Sequence, residues 1–152
     1  MTIVAVSDTG PLIHLAEIGS LDLLSVCEQL YIPRTVAEEL QRGGVPDELA
    51  ELSYELVEAD EHQQTDRLDP GERAAIAVAH DRDAVLLTDD LAARELASEM
   101  ELEVHGSIGI IAVGYARGRL DKPEAASRMR ALQSETTLFV TDAVVERGIQ
   151  LL

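Results

Sequence analysis

Residues 70–88 place two fully apolar elements back to back, and a small fold must bury both of them. Ala74, Ala75, Ile76, Ala77, Val78 and Ala79 form an unbroken apolar body, introduced by Asp69 at the N-cap position and Pro70 at the first helical position. A helix apolar on every side belongs at the centre of a structure, so residues 70–81 are expected there. Arg82 and Asp83 then lead into 84–88, a continuous apolar run of the kind that forms a parallel strand covered on both faces.

The rest of the chain supplies partners for that pair. Residues 2–6 are a short β-favouring run that ends abruptly at Ser7-Asp8-Thr9-Gly10-Pro11, where helical spacing begins at Leu12, Leu15 and Ala16 and returns at Leu21 and Leu24. Leu30, Tyr31 and Ile32 are stopped by Pro33, and 35–41 reads as a helix closed by Gly43 and Gly44. Short strands are expected at 54–57 and 103–105, with helices at 91–100, 108–117, 123–132 and 141–151. Strands alternating with helices imply a mostly parallel sheet with helices on both faces, and such sheets bind ligands at the carboxyl ends of their strands. Without repeats or low-complexity linkers, residues 1–152 are expected to form one domain. The apolar positions Ile108, Ile110, Ile111 and Val113 suit either core or a dimer face.

Charge sets a second constraint. The chain has 29 acidic and 12 basic residues, a formal net charge of −17, while 46% of its residues are hydrophobic. That apolar share separates it from charged disordered chains. Lys122 is the single lysine, and acid excess with scarce lysine suits a very salty cytoplasm. At molar salt the screening length falls to about 3 Å, so the charge does not exclude a nucleic-acid substrate. Residues 106–152 hold 5 acidic and 6 basic side chains, so the excess lies in the first 105. Arg117, Arg119, Lys122, Arg128 and Arg130 are therefore candidates to hold nucleic-acid phosphates, with helix-end charge pairing as the plain alternative.

Cys27 is the single cysteine, which excludes an intrachain disulfide, and its apolar neighbours point to a buried thiol. Residues 1–7 lack a basic n-region, and the longest uncharged apolar stretch, 106–116, falls short of the roughly 20 residues a membrane span needs. A cytoplasmic protein is expected. His14, His62, His80 and His105 show no zinc-ligand spacing.

Several acids fall where a parallel sheet would gather them. Asp8 and the pair Asp89 and Asp90 follow the two clearest strands, and Glu72 opens the central helix. Glu39 lies about 80° from the centre of the stripe made by Val36 and Leu40 at roughly 100° per residue, whereas Glu38 points away. Carboxylates crowded in one cleft repel one another unless cations lie between them, and hard oxygen ligands select Mg²⁺ or Mn²⁺. Each acid also has a plain role: Asp8 and Asp90 can cap helices, and Asp69 with Glu72, like Thr35 with Glu38, has capping-box spacing.

Four blocks carry a family resemblance: Val4-Ala5-Val6-Ser7-Asp8-Thr9, Val36-Ala37-Glu38-Glu39-Leu40, Gly71-Glu72 with the apolar run after it, and Leu86-Leu87-Thr88-Asp89-Asp90. In that order they resemble the acidic blocks of PIN-domain ribonucleases, and the Ser-Asp-Thr-Gly-Pro run is most similar to the VapC-like toxin branch. The resemblance implies a three-layer α/β/α sandwich, divalent-metal-dependent RNA hydrolysis, frequent homodimers and a small antitoxin partner. By motif, the catalytic and metal-binding acids are Asp8, Glu39, Glu72 and Asp90, with Asp89 as substitute or helper. Ser7 and Thr88 are expected to orient water or a carboxylate. Two departures stand out: Glu72 occupies a position where Asp is commoner, and Leu91 and Ala92 stand where a further acid often follows the fourth block. The rival reading is a non-catalytic PIN-like module that binds RNA or a protein.

Overall fold

The computed structural model describes residues 2–60 and 68–152. Five strands, β1 (Val4–Ser7), β2 (Gln29–Pro33), β3 (Glu55–Val57), β4 (Val85–Leu87) and β5 (Val104–His105), form one sheet in the order β3-β2-β1-β4-β5. Every neighbouring pair is parallel. The helices are α1 (Thr9–Glu17), α2 (Arg34–Gly43), α3 (Pro70–Arg82), α4 (Leu91–Glu99), α5 (Ser107–Ala116), α6 (Lys122–Glu135) and α7 (Asp142–Gln150). The result is the expected α/β/α sandwich, with a sheet that is parallel throughout.

Strand alternation divides the core in two. Ala5, Leu30, Ile32 and Leu87 face a cluster completed by Leu12 and Leu15 of α1, Val36 and Leu40 of α2, Ile110 and Ile111 of α5, Met129 and Leu132 of α6, and Val145 of α7. Val6, Val57 and Leu86 face the other cluster, where α3 contributes Ala75, Ile76, Val78 and Ala79, and α4 contributes Ala93 and Ala97. The all-apolar body of α3 is buried on every side from Ala74 to Ala79, as its composition requires. Ile110 and Ile111 are core residues, which settles that choice for the centre of α5.

The structure departs from the sequence pattern at definite places. Strand β1 runs on through Ser7, which pairs with Leu87, so the ladder ends immediately before Asp8. The second helical signal, at Leu21 and Leu24, is a 3₁₀ segment, Leu21–Val26, whose spacing buries Leu21, Leu23 and Leu24. Thr35 and Glu38 make no capping box, because α2 begins one residue earlier and Pro33 occupies its N-cap. Helix α6 begins one residue earlier than expected, where Asp121 and Glu124 close a capping box around Pro123, and it runs three residues further, to Glu135. A further 3₁₀ segment, Asp47–Glu51, follows Pro46 without a clear apolar periodicity and buries Leu49. No helix among the described residues is long and apolar enough to cross a membrane.

Candidate active site

Topology delivers all five predicted acids to one edge. Strands β1 and β4 are neighbours and end together, so Asp8 and the Asp89-Asp90 pair emerge side by side. Helices α2 and α3 start from the same carboxyl edge, after β2 and β3. An open cleft of about 340 Å³ there is lined by Asp8, Glu39, Glu72, Asp89 and Asp90, joined by Thr9, Asp69 and His14.

Asp8 is 4% exposed, and its carboxylate is held from both sides. Oδ1 accepts from the Thr9 amide at 2.7 Å, capping α1, and Oδ2 accepts from the Thr88 hydroxyl at 2.9 Å. The same Thr88 oxygen accepts from the Asp90 amide at 3.2 Å, so one buried hydroxyl ties both acids together. The Ser7 hydroxyl donates to the Asp8 carbonyl at 2.9 Å and fixes the backbone behind the site. Burial pushes the Asp8 carboxyl up to about 6; the Thr9 and Thr88 bonds lower it, and the charges of Asp69 and Glu39 raise it further.

Glu39 joins two helix starts. Its Oε1 accepts from the Gly71 amide at 2.8 Å and its Oε2 from the Thr9 hydroxyl at 2.9 Å. Asp69 and Glu72 form the capping box their spacing predicts, with Glu72 Oε1 accepting from the Asp69 amide at 2.9 Å and Asp69 Oδ1 from the Glu72 amide at 2.8 Å. Burial, with the charges of Asp69, Asp8 and Asp90, pushes the Glu72 carboxyl up to about 7 against the Asp69 hydrogen bond. Asp90 caps α4 through Oδ2, which accepts from the Ala93 amide at 2.9 Å.

Asp89 behaves differently from Asp90. Its Oδ1 accepts from the Ser107 amide at 2.7 Å, and its Oδ2 meets the Ser107 hydroxyl at 2.6 Å and His14 Nδ1 at 2.7 Å. Burial alone would raise its carboxyl, but the bonds from His14 and Ser107 outweigh that and hold it below the usual range. Asp89 therefore locks α1, α4 and α5 together at the rim.

The plain capping readings and the site reading thus coexist in the same side chains. Among the described residues no three acidic, histidine or cysteine side chains are already drawn together as closely as metal ligands. Glu72 Oε2 and Asp90 Oδ1 accept no protein hydrogen bond among the described residues, and both belong to carboxylates on the cleft wall. A set of hard oxygen donors, with Asp8 and Glu72 both raised by crowding and burial, fits a hard divalent cation that keeps much of its water.

The predicted basic group lies elsewhere. Arg119 donates to Ser25, within the 3₁₀ segment leading into β2, and Arg128 to Ser20 at its N-cap, both at the amino edge of the sheet. Arg117 and Lys122 lie beside the α5–α6 turn at that same end, and Arg130 is exposed on α6. Cys27 is partly buried beside the core, and burial pushes its thiol up to about 11. His62 lies outside the described residues.

Three features escaped the sequence reading. Asp69 carries only a capping signal in the sequence, although its place one turn before Glu72 puts it at the same edge. His14 gave no motif because its partner is 75 residues away. Thr137, Leu138 and Phe139, from the α6–α7 connection, form one wall of the cleft with no local signal for it.

Comparison with known proteins agrees with this architecture. A family model described as a PIN domain (DUF3368) matches residues 4–152. A PilT N-terminus domain protein from the hyperthermophilic archaeon Sulfolobus solfataricus is structurally similar, with a TM-score of 0.62 at 17% identity over 73% of this chain and 92% of that one. At that identity the likeness concerns the fold alone. No curated protein matches the chain. With nearly its whole length matched and its acids gathered at the carboxyl edge of a parallel sheet, the chain belongs to the PIN-domain family, whose members are commonly nucleases.

Proposed function

We propose that the protein is a divalent-metal-dependent endoribonuclease that hydrolyses RNA phosphodiester bonds. The supporting observation is the meeting of Asp8, Glu39, Glu72 and Asp90 on one cleft, with Asp8 and Glu72 raised to about 6 and 7. Mg²⁺ or Mn²⁺ would be held by Asp8, Glu72 and Asp90. When bound, it supplies a more acidic water and neutralises charge on the phosphate. Thr88 and the Thr9 amide orient Asp8 for this task. Glu39 sets the position of the α3 N-terminus, and hence of Glu72, through Gly71. Asp89, saturated by Ser107 and His14, positions the loop that carries Asp90.

The sequence blocks that resemble the VapC-like branch support a toxin role, with a small antitoxin and a homodimeric state in a salty cytoplasm. A second reading, a non-catalytic PIN-like module, draws on the amide partners that each carboxylate already has. Incubation of labelled RNA with the protein in molar KCl separates the two. The proposal expects cleavage with Mn²⁺ or Mg²⁺ that stops on chelation; cleavage that survives chelation contradicts it, and binding without cleavage favours the second reading. Co-expression with a small neighbouring reading frame that relieves growth arrest tests the toxin role.

A further inference from the structure

Phe139 is the chain's single phenylalanine and is 89% exposed, although burying such a side chain stabilises a fold by roughly 1.5–3 kcal/mol. Its loop is fixed. Thr137 donates through its hydroxyl to Glu17 at 3.0 Å, the Leu138 amide donates to the Thr136 hydroxyl at 3.1 Å, and Gln133 Nε2 donates to the Val140 carbonyl at 3.1 Å and to Asp142 at 2.7 Å. A rigid loop therefore presents a free aromatic ring to solvent.

The ring stands between two cavities. On one side is the carboxylate cleft; on the other is a groove of about 270 Å³ between the start of α5 and α7. Asp89, Leu138 and Phe139 line both. The groove also carries Arg94 and Arg147, which have no ion-pair partner among the described residues. Asp89, the acid of the groove, is already satisfied by Ser107 and His14. Arg94 and Arg147 thus place two guanidinium groups in a groove that adjoins the carboxylate cleft, Arg94 close to Asp89 beside Gly106.

Resting on the ribonuclease reading, we propose that this groove holds a nucleotide flanking the scissile phosphate of single-stranded RNA, with its base stacked on Phe139 and its phosphate met by Arg94 and Arg147. Stacking on an aromatic ring is tolerant of sequence, and guanidinium groups suit phosphate. Continuity with the cleft favours RNA over a protein occupant, since a strand whose phosphate lies at the carboxylates can run past Phe139 into the groove.

The test is fluorescence anisotropy of a labelled single-stranded 10-mer and its duplex on the cleavage-deficient Asp8→Asn protein, alongside steady-state cleavage by the otherwise native chain. Phe139→Ala is expected to weaken single-strand binding about 5- to 100-fold and to raise KM with little change in kcat. Phe139→Trp should restore binding, and the duplex should be indifferent, because its bases are not free to stack. Arg94→Ala and Arg147→Ala should each flatten the slope of log affinity against log salt by about 0.7. Because Phe139 is exposed, these variants should melt with the parent. Phe139-dependent binding without cleavage by the native chain removes the ribonuclease reading and leaves the stacking site. Cleavage that ignores Phe139→Ala overturns the proposal, as does failure of the 10-mer to bind.

Discussion

The carboxylate of Glu39 lies against the backbone of Gly71, accepting its amide proton at 2.8 Å. A Cβ built on Gly71 would come within 2.8 Å of Glu39 Cδ, and closer still to Oε2, a distance real Cβ atoms do not adopt. This explains in physical terms why a glycine precedes Glu72: any side chain there evicts Glu39 and moves the helix start that carries Glu72. Gly71→Ala is expected to keep the fold but cut cleavage on the order of 100-fold, the scale of loss when reacting groups shift by about 1 Å. Circular dichroism with a cleavage assay checks both halves.

The two adjacent aspartates should separate in their effects. Asp89→Ala strands the buried Ser107 donors and the largely buried His14, and should cost on the order of 2–3 kcal/mol of stability. Asp90→Asn keeps a capping oxygen for Ala93 and should change stability by less than about 1 kcal/mol while abolishing cleavage. Thermal melts with activity measurements distinguish them.

Asp8 makes the metal-free fold sensitive to pH. Its folded-state carboxyl is raised from 3.8 to about 6, so the native state binds its proton more tightly than the unfolded chain does. Stability from this group is present at low pH and is lost as pH rises from about 4 to 6, by on the order of 3 kcal/mol at 1.36 kcal/mol per pH unit. Glu72, raised to about 7, acts in the same direction between about 4.5 and 7. Asp8→Asn should therefore stabilise the metal-free protein at pH 8 while eliminating activity, and pH-dependent melting measures the crossover.

Salt should act on the remaining acids. The surface charge behind the net −17 repels itself in dilute buffer, so the melting temperature should rise from low salt to multimolar KCl. An unchanged melting temperature contradicts the reading of the acid excess as an adaptation to salt.

The core and the site edge were legible for a common reason. The apolar run of α3, the apolar strand β4 after it and the break after β1 are local signals, and parallel pairing then brings Asp8 and Asp90 together without further information. Glu39 was readable from its angle to the Val36–Leu40 stripe. What escaped depends on distant contacts: His14 finds its role through Asp89, and Phe139 reaches the cleft because α6 returns to the carboxyl edge. The location of the basic group also depends on distant contacts, because Arg119 and Arg128 reach Ser25 and Ser20 at the opposite edge.

The most direct test of the account is the rate of Mn²⁺-dependent cleavage of a labelled single-stranded RNA by the native chain, Asp8→Asn, Glu72→Gln and Asp90→Asn under one set of conditions. The account predicts cleavage by the native chain that chelation abolishes and Mn²⁺ restores, with each variant reduced at least 100-fold and still folded. Undiminished cleavage by Asp8→Asn, or by the native chain after chelation, would contradict it.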